Sequence, residues 1–302
     1  MRCKFQTADV FTDTRFGGNQ LAVIPEAQGL SGDQMQQLAR EFNYSETVFV
    51  LPADSGGADF CLRIFTPDEE LPFAGHPTIG AAFILATSGR IELVDGAAQS
   101  TFRLGAGLVP VRMRLDGHGR FHAELTTPRR PEFGPAPPSI EALAAIVGLE
   151  PHNILTTRSV PRAVSCGLPF LIVPLDSIHS ANRVSIDTAR WRSSLANSWA
   201  SMLCLFTTET LAPEADLHVR VFCPGLGIPE DPATGSAAAA LGGYLASLLP
   251  EPAGTFRWTI EQGVELGRPS RIEVAVDKVA GSIAAVRVGG AAVAVMSGEI
   301  EL

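Results

Sequence analysis

Arg63-Ile64-Phe65-Thr66-Pro67, followed by Glu70-Leu71-Pro72-Phe73-Ala74-Gly75-His76, has a counterpart later in the chain. There it reads Arg220-Val221-Phe222-Cys223-Pro224, followed by Glu230-Asp231-Pro232-Ala233-Thr234-Gly235-Ser236. The first parts lie 157 residues apart and the second parts 160, so the later copy holds three more residues between its parts. Arg, Phe, Pro, Glu, Pro and Gly recur in the same order. A helix of small residues is expected after each glycine, over residues 80–86 and 237–246. Each copy therefore reads as strand, Pro/Gly turn and helix. Such a unit ends at a helix N-terminus, where unpaired N–H groups and the helix dipole favour an anion. Two of them point to two pseudo-equivalent halves with a ligand between them. The alternative is two unrelated units that share common turn residues.

Composition narrows the function classes. A chain of 302 residues exceeds the usual single core, so two domains are expected. The net charge is −9 and no lysine or arginine run occurs, which argues against a nucleic-acid partner. No apolar stretch reaches membrane-spanning length, and the N-terminus, from Met1 to Asp9, lacks a signal-peptide core. Five scattered cysteines without a CxxC pair fit reduced thiols and a cytoplasmic location. They do not form a zinc-ligand pattern. The absence of GxGxxG, P-loop and HExxH motifs leaves a nucleotide or a catalytic metal unsupported.

The clearest boundary is residues 128–138, with five prolines in eleven residues, through which neither a helix nor a central strand can run. It separates an N-terminal lobe, 1–127, from a C-terminal lobe, 139–289. The final strand, about 290–302, either rejoins the first lobe or stays with the second. In the first lobe, strands are expected at 6–11, 21–25, 44–51 and 60–65, with a hairpin of 108–115 and 120–125. A capping box at Ser31 starts one helix, which Asn43 ends, and a second helix covers about 77–87. In the second lobe, helices are expected at 139–147, 186–199 and 237–249. Strands are expected at 170–173, 202–207, 217–222, 271–276, 284–288 and 292–296. The fold class is α+β, each lobe a curved, mainly antiparallel sheet around one alanine-rich helix.

Glu46 is the only charge in a run that otherwise reads as a buried strand, sharing a face with Tyr44, Val48 and Val50. An apolar setting disfavours its ionised form and raises its pKa toward the range of general acid–base work. The alternative is an edge glutamate facing water. His76, one residue after Gly75, lies in the first turn of its helix, where the positive dipole end favours the neutral imidazole. It either meets a ligand or serves as a capping or packing residue. Asp231 and Ser236 occupy the matching turn of the other half. There Asp231 could orient a ligand, and Ser236 with the Gly235 N–H could bind a carboxylate; capping is the common role of such residues. Gly17-Gly18-Asn19-Gln20 is either a close backbone approach to a ligand or a simple turn. Arg268 is either an anion contact or a surface residue, and Cys223 reads as an ordinary strand cysteine.

Taken together, several segments resemble the PhzF-like (phenazine biosynthesis-like) family. They are Asp9-Val10-Phe11 with Gly18-Asn19, Ser45-Glu46-Thr47-Val48-Phe49, the two repeat copies extended to Pro77-Thr78, and Glu261-Gln262-Gly263 before Gly267-Arg268-Pro269-Ser270. The chain departs from the family's pattern at Gln20, where proline is usual, and at Cys166, where a small polar residue is commoner. The resemblance implies the diaminopimelate-epimerase fold, two pseudo-symmetric lobes with the active site in the cleft, no cofactor, and a homodimer. It implies proton transfer by Glu46, with His76 and Asp231 as further catalytic groups and Asn19, Gly75, Gly235 and Ser236 around the substrate. The related epimerases and proline racemases use two cysteines beside the helix turns. Here Ala74 precedes Gly75 and the opposite turn has Pro232, Ala233 and Thr234, so a two-thiol racemase is not available. The function implied is a cofactor-independent isomerase moving a proton between carbons of a small unsaturated carboxylate, like dihydrohydroxyanthranilate isomerase. The competing classes are a small-acid binding protein without catalysis and a hydrolase using the same cleft.

Overall fold

The computed structural model describes residues 2–53 and 56–302; Met1, where the expected first lobe begins, lies outside them. The chain forms two compact units, Met1–Pro128 with Val288–Leu302, and Arg129–Arg287.

In the first unit the elements are β1 (Arg2–Val10), β2 (Asn19–Ile24), α1 (Gly32–Phe42), β3 (Glu46–Pro52), β4 (Phe60–Phe65), β5 (Glu70–Leu71), α2 (Gly75–Thr87), β6 (Ala97–Leu104), β7 (Gly107–Leu115) and β8 (Phe121–Thr126). In the second they are β9 (Glu132–Phe133), α3 (Ile140–Val147), β10 (Arg162–Ser165), β11 (Pro169–Pro174), α4 (Ile178–Arg183), α5 (Thr188–Ser194), β12 (Met202–Thr207), β13 (Leu217–Cys223), β14 (Ile228–Asp231), α6 (Gly235–Leu248), β15 (Gly254–Gln262) and β16 (Ser270–Val279). The strand β17 (Ser282–Glu301) begins in the second unit and continues into the first, where it pairs antiparallel with β1.

Strand pairing repeats between the units. The steps β1–β2, β2–β3, β3–β4, β4–β6 and β6–β7 run antiparallel, parallel, antiparallel, parallel, antiparallel. The steps β10–β11, β11–β12, β12–β13, β13–β15 and β15–β16 have the same senses in the same order. The sequence repeat thus extends to topology. In the first unit β7–β8, β8–β17 and β17–β1 complete a closed ring of strands. The helix α2 packs against β1, β2, β3, β7 and β8, and every residue from Gly75 to Leu85 is buried. A helix enclosed on all sides needs small residues where walls come close. A Cβ on Gly80 would strike Leu21 and come within 2.8 Å of Val10 Cγ2. In α6, a Cβ on Gly242 would strike Val274, and one on Gly243 would lie 2.6 Å from Pro131 Cγ.

Outer helices cover the other sheet faces. On α1, Met35, Leu38 and Ala39 pack with Ile24, Phe49 and Phe65. Leu143 and Val147 of α3, with Trp191 of α5, pack with Leu171, Val173 and Leu203. The capping box at Ser31 and the left-handed Asn43 end α1 as their residue types demand.

Several elements differ from expectation. The helix expected over 186–199 is α5, only Thr188–Ser194. Asp187 caps it through Ala189 N and Arg190 N, and the chain then turns away, Ala196 N reaching back to Trp191 O. The two terminal strands are one, because Gly289 marks a close approach rather than a break: a Cβ there would lie 2.8 Å from Ala123 O. β5, β6, β9, β10, β14, β15 and α4 are additional elements, and β9 lies within the stretch expected as a linker, paired with β10. No helix among the described residues is long and apolar enough to cross a membrane.

Candidate active site

In the first unit, three elements bring Asn19, Glu46 and His76 together. Asn19 opens β2, Glu46 opens the adjacent parallel strand β3, and His76 is the second residue of α2. His76 Nε2 lies 3.1 Å from Glu46 Oε2, a close polar contact without the alignment of a full hydrogen bond. On the other side of the ring, Asn19 Nδ2 lies 3.3 Å from His76 Nδ1. Ser45 Oγ donates to Asn19 Oδ1 at 2.9 Å and so holds the amide with its nitrogen toward the imidazole.

Burial governs the protonation of this histidine. Its pKa falls to about 3, because a fully enclosed imidazolium has lost its water; a backbone hydrogen bond with Gln20 works in the opposite direction. His76 is therefore neutral across the physiological range, and Glu46, 9% exposed, faces it from a strand end. The capping role weighed for His76 does not apply. Ala74 is the N-cap of α2 and makes no side-chain cap bond, while the His76 ring points at Asn19 and Glu46.

The loop before Asn19 is a built turn. Phe16 N donates to the buried Asp9 Oδ2 at 2.6 Å, and Gly18 has a φ of 60°. A Cβ on Gly18 would strike Val10 O, so glycine is needed on both counts.

In the second unit, Asp231, Gly235 and Ser236 lie together around the start of α6. Thr234 is the N-cap, again without a side-chain cap bond, and Gly235 and Ser236 are the first helical residues. Thr234 instead donates its hydroxyl to Asp231 Oδ2. Gln262, at the end of β15, carries the turn. Its amide donates to Asp231 O at 2.7 Å and to Thr234 Oγ1 at 3.0 Å, and it accepts from Thr234 N at 3.1 Å. Ser270 Oγ donates to Pro232 O at 2.9 Å. Gly263, with φ of 75°, lets the chain pass against Pro232 O. Asp231 is thus an oriented, buried carboxylate beside the first-turn N–H groups of a helix.

Ser45, Thr234 and Gln262 were not singled out by residue type. Their importance lies in bonds to neighbouring site residues, and the only sequence signal was their place inside the segments that carry the resemblance. Among the described residues, no three His, Cys, Asp or Glu side chains gather into a metal-holding group. Cys166 donates weakly to Ala239 O, and burial pushes its thiol up to about 12, so it is not a thiolate nucleophile.

The model of the phenazine biosynthesis-like proteins, PhzC-PhzF, matches residues 8–298. The chain belongs to this family. A relative from Mesorhizobium japonicum, named an uncharacterized isomerase, is 40% identical over 97% of this chain and 96% of its own. The trans-2,3-dihydro-3-hydroxyanthranilate isomerase of Pseudomonas aeruginosa is 32% identical over 99% of each chain. Among solved structures, the phenazine biosynthesis protein of the PhzF family from Bacillus anthracis matches with a TM-score of 0.90 at 26% identity, covering 100% of each chain. The two-unit, helix-centred architecture is therefore the family's fold.

Proposed function

We propose that this PhzF-family chain is an isomerase that moves a proton between carbons of a small unsaturated carboxylic acid by acid–base catalysis, with no redox change. The observation that carries the proposal is the buried pair of Glu46 and neutral His76, 3.1 Å apart and oriented by Asn19 and Ser45. Glu46 takes the proton from a carbon activated by adjacent unsaturation. His76, unable to become imidazolium near neutral pH, acts as a hydrogen-bond donor to the charge that develops. Glu46 then returns the proton to a different carbon, so the group that removes it also delivers it. In the second unit, taken by itself, the start of α6 at Gly235 and Ser236 offers first-turn N–H groups whose dipole favours a carboxylate. Relatives named as isomerases support the reaction class, and the dihydrohydroxyanthranilate isomerase supplies the first compound to try.

The test is proton NMR in D₂O with a panel of small unsaturated and amino carboxylates, including dihydrohydroxyanthranilate, for the native chain and Glu46→Gln. Deuterium uptake or a shifted double bond is expected with the native chain. In Glu46→Gln, folding should be retained and turnover reduced by about 10²–10⁴-fold. Near-native turnover in that variant would refute the role of Glu46.

A further inference from the structure

The strand β13 carries His218 and Arg220 two residues apart, both buried. His218 is fully enclosed, with Nδ1 2.8 Å from Glu261 Oε1 and Nε2 2.8 Å from Glu265 Oε1. An imidazole that faces a carboxylate oxygen from each nitrogen donates from both, and only the imidazolium has two N–H groups. Burial opposes that charge, but the hydrogen bonds and charges of Glu265 and Glu261 outweigh it, so the His218 pKa is raised. The remaining charged groups around the ring complete a chain. Arg220 Nε is 3.9 Å from Glu265 Oε1, and Arg220 binds Glu230 through two hydrogen bonds. Glu261 also accepts from Leu211 N at 2.7 Å and Ala212 N at 2.8 Å. Three carboxylates thus share two cations when His218 is charged and only one when it is not.

Both ends of this chain stop one residue short of the Asp231 turn. Glu230 precedes Asp231, and Glu261 precedes Gln262, whose amide makes three hydrogen bonds to Asp231 and Thr234.

We propose that His218 is a positioning residue: as a cation clasped between Glu261 and Glu265, it holds Gln262 on the Asp231–Thr234 turn and so sets the start of α6. Loss of its proton turns the clasp into repulsion among Glu261, Glu265 and Glu230 and loosens that turn. The consequence for turnover rests on the isomerase reading above; the clasp itself does not.

The experiment is NMR of the ¹⁵N-labelled full chain across pH, for the native protein and Glu265→Gln. Glu265 sits on a turn with its side chain partly open to solvent and outside the proposed chemistry, so its variant guards against a His218 substitution that fails to fold. Two ring N–H signals from His218 are expected at pH 7. The Thr234 backbone amide, which donates to Gln262, is expected to titrate with the His218 midpoint. In Glu265→Gln both midpoints should fall together by about one pH unit or more, as removing an adjacent opposite charge demands. A purely structural histidine would leave the Thr234 amide unmoved. A single ring N–H at pH 7, or a Thr234 amide indifferent to the His218 titration, would overturn the proposal. Coupled titrations together with no turnover on any acid would uphold the clasp and sink the isomerase reading alone.

Discussion

The same clasp occurs in both units in two environments, and neutralising its glutamate should separate them. Arg63 grips Glu70 at 2.7 and 2.6 Å and lies over Phe65, with 5.0 Å from guanidinium carbon to ring centroid. Arg220 grips Glu230 at 2.8 and 2.7 Å and lies over Phe222, again at 5.0 Å. The geometries match, but the side chains of the first pair are 33% and 41% exposed and those of the second 8% and 13%. In Glu70→Gln the guanidinium still faces water, so the loss should be about 0–1 kcal/mol. In Glu230→Gln a buried cation loses its bidentate counter-charge and keeps Glu265 only at 3.9 Å; about 3–5 kcal/mol is typical of breaking a buried pair. Arg220 keeps its bonds to Ala181 O and Val184 O, which places the expected cost at the lower end, about 3 kcal/mol. For units of this size, Glu230→Gln should lower the melting temperature by about 6–12 °C and Glu70→Gln by no more than about 4 °C. Scanning calorimetry is the assay, because a chain of two compact units need not melt in one step. Raising salt to about 1 M should erase the Glu70 effect, the screening length falling to about 3 Å, and leave the Glu230 effect largely intact. Equal losses in the two variants would refute the argument and show that stacking or hairpin geometry, not burial of charge, sets the value of the clasp.

Two further outcomes follow from the site geometry. The His76 pKa is about 3 when folded and 6.5 for an ordinary solvated imidazole, so the folded state binds fewer protons between these limits. Its contribution is complete above pH 6.5 and is lost as pH falls toward 3, with about 2 kcal/mol gone at pH 5. The drop in melting temperature between pH 7 and pH 5 should therefore shrink by about 4–8 °C in His76→Asn; an unchanged drop would show that the ring is not charged on unfolding as supposed. Gly263→Ala forces a left-handed residue against Pro232 O and to within 2.6 Å of Arg268 O, and should cost at least about 2 kcal/mol in thermal or denaturant unfolding. A neutral effect would mean that the Asp231 turn yields easily.

Where identity and function of a residue coincide locally, the sequence was legible. Ser31 and Asn43 bound α1 through their own side-chain and backbone preferences. The repeat showed because the Arg, Phe and Glu of each clasp must keep their types to make one bidentate, stacked contact. Glu46 stood out as a lone charge in an apolar run, and His76 by its place after a helix-opening glycine. What escaped depends on distant approaches. β15 alternates Phe256, Trp258 and Ile260 with Thr255, Arg257 and Thr259, yet only its last three residues are buried, so the pattern is diluted. β6 includes Ser100 on its buried face, where it bonds Asp59 rather than apolar neighbours. The expected strands 284–288 and 292–296 leave out Gly289, whose place in one continuous strand rests on the Ala123 carbonyl packed against it. His218 and Gln262 make their bonds to segments more than twenty-five residues away, and no local preference distinguishes them from ordinary strand residues.

The two helix starts show how a duplicated frame acquires different chemistry. In both units an Arg–Glu clasp fixes the hairpin before the central helix, and in both the N-cap, Ala74 or Thr234, makes no side-chain cap bond. The divergence begins at the second helical residue and in the neighbouring strand. His76 meets Glu46 across 3.1 Å, whereas Ser236 follows a turn whose Asp231 is bonded to Thr234. The charge accounting differs as well. At the first helix start, burial strips the charge from the histidine; around the second, two carboxylates impose it on His218. One unit therefore presents a carboxylate with a neutral donor, suited to moving a proton. The other presents helix N–H groups beside a fixed carboxylate, a polar setting of a different kind. Exchanging His76 for serine should remove the first capacity while leaving the helix intact, since neither start depends on a side-chain cap.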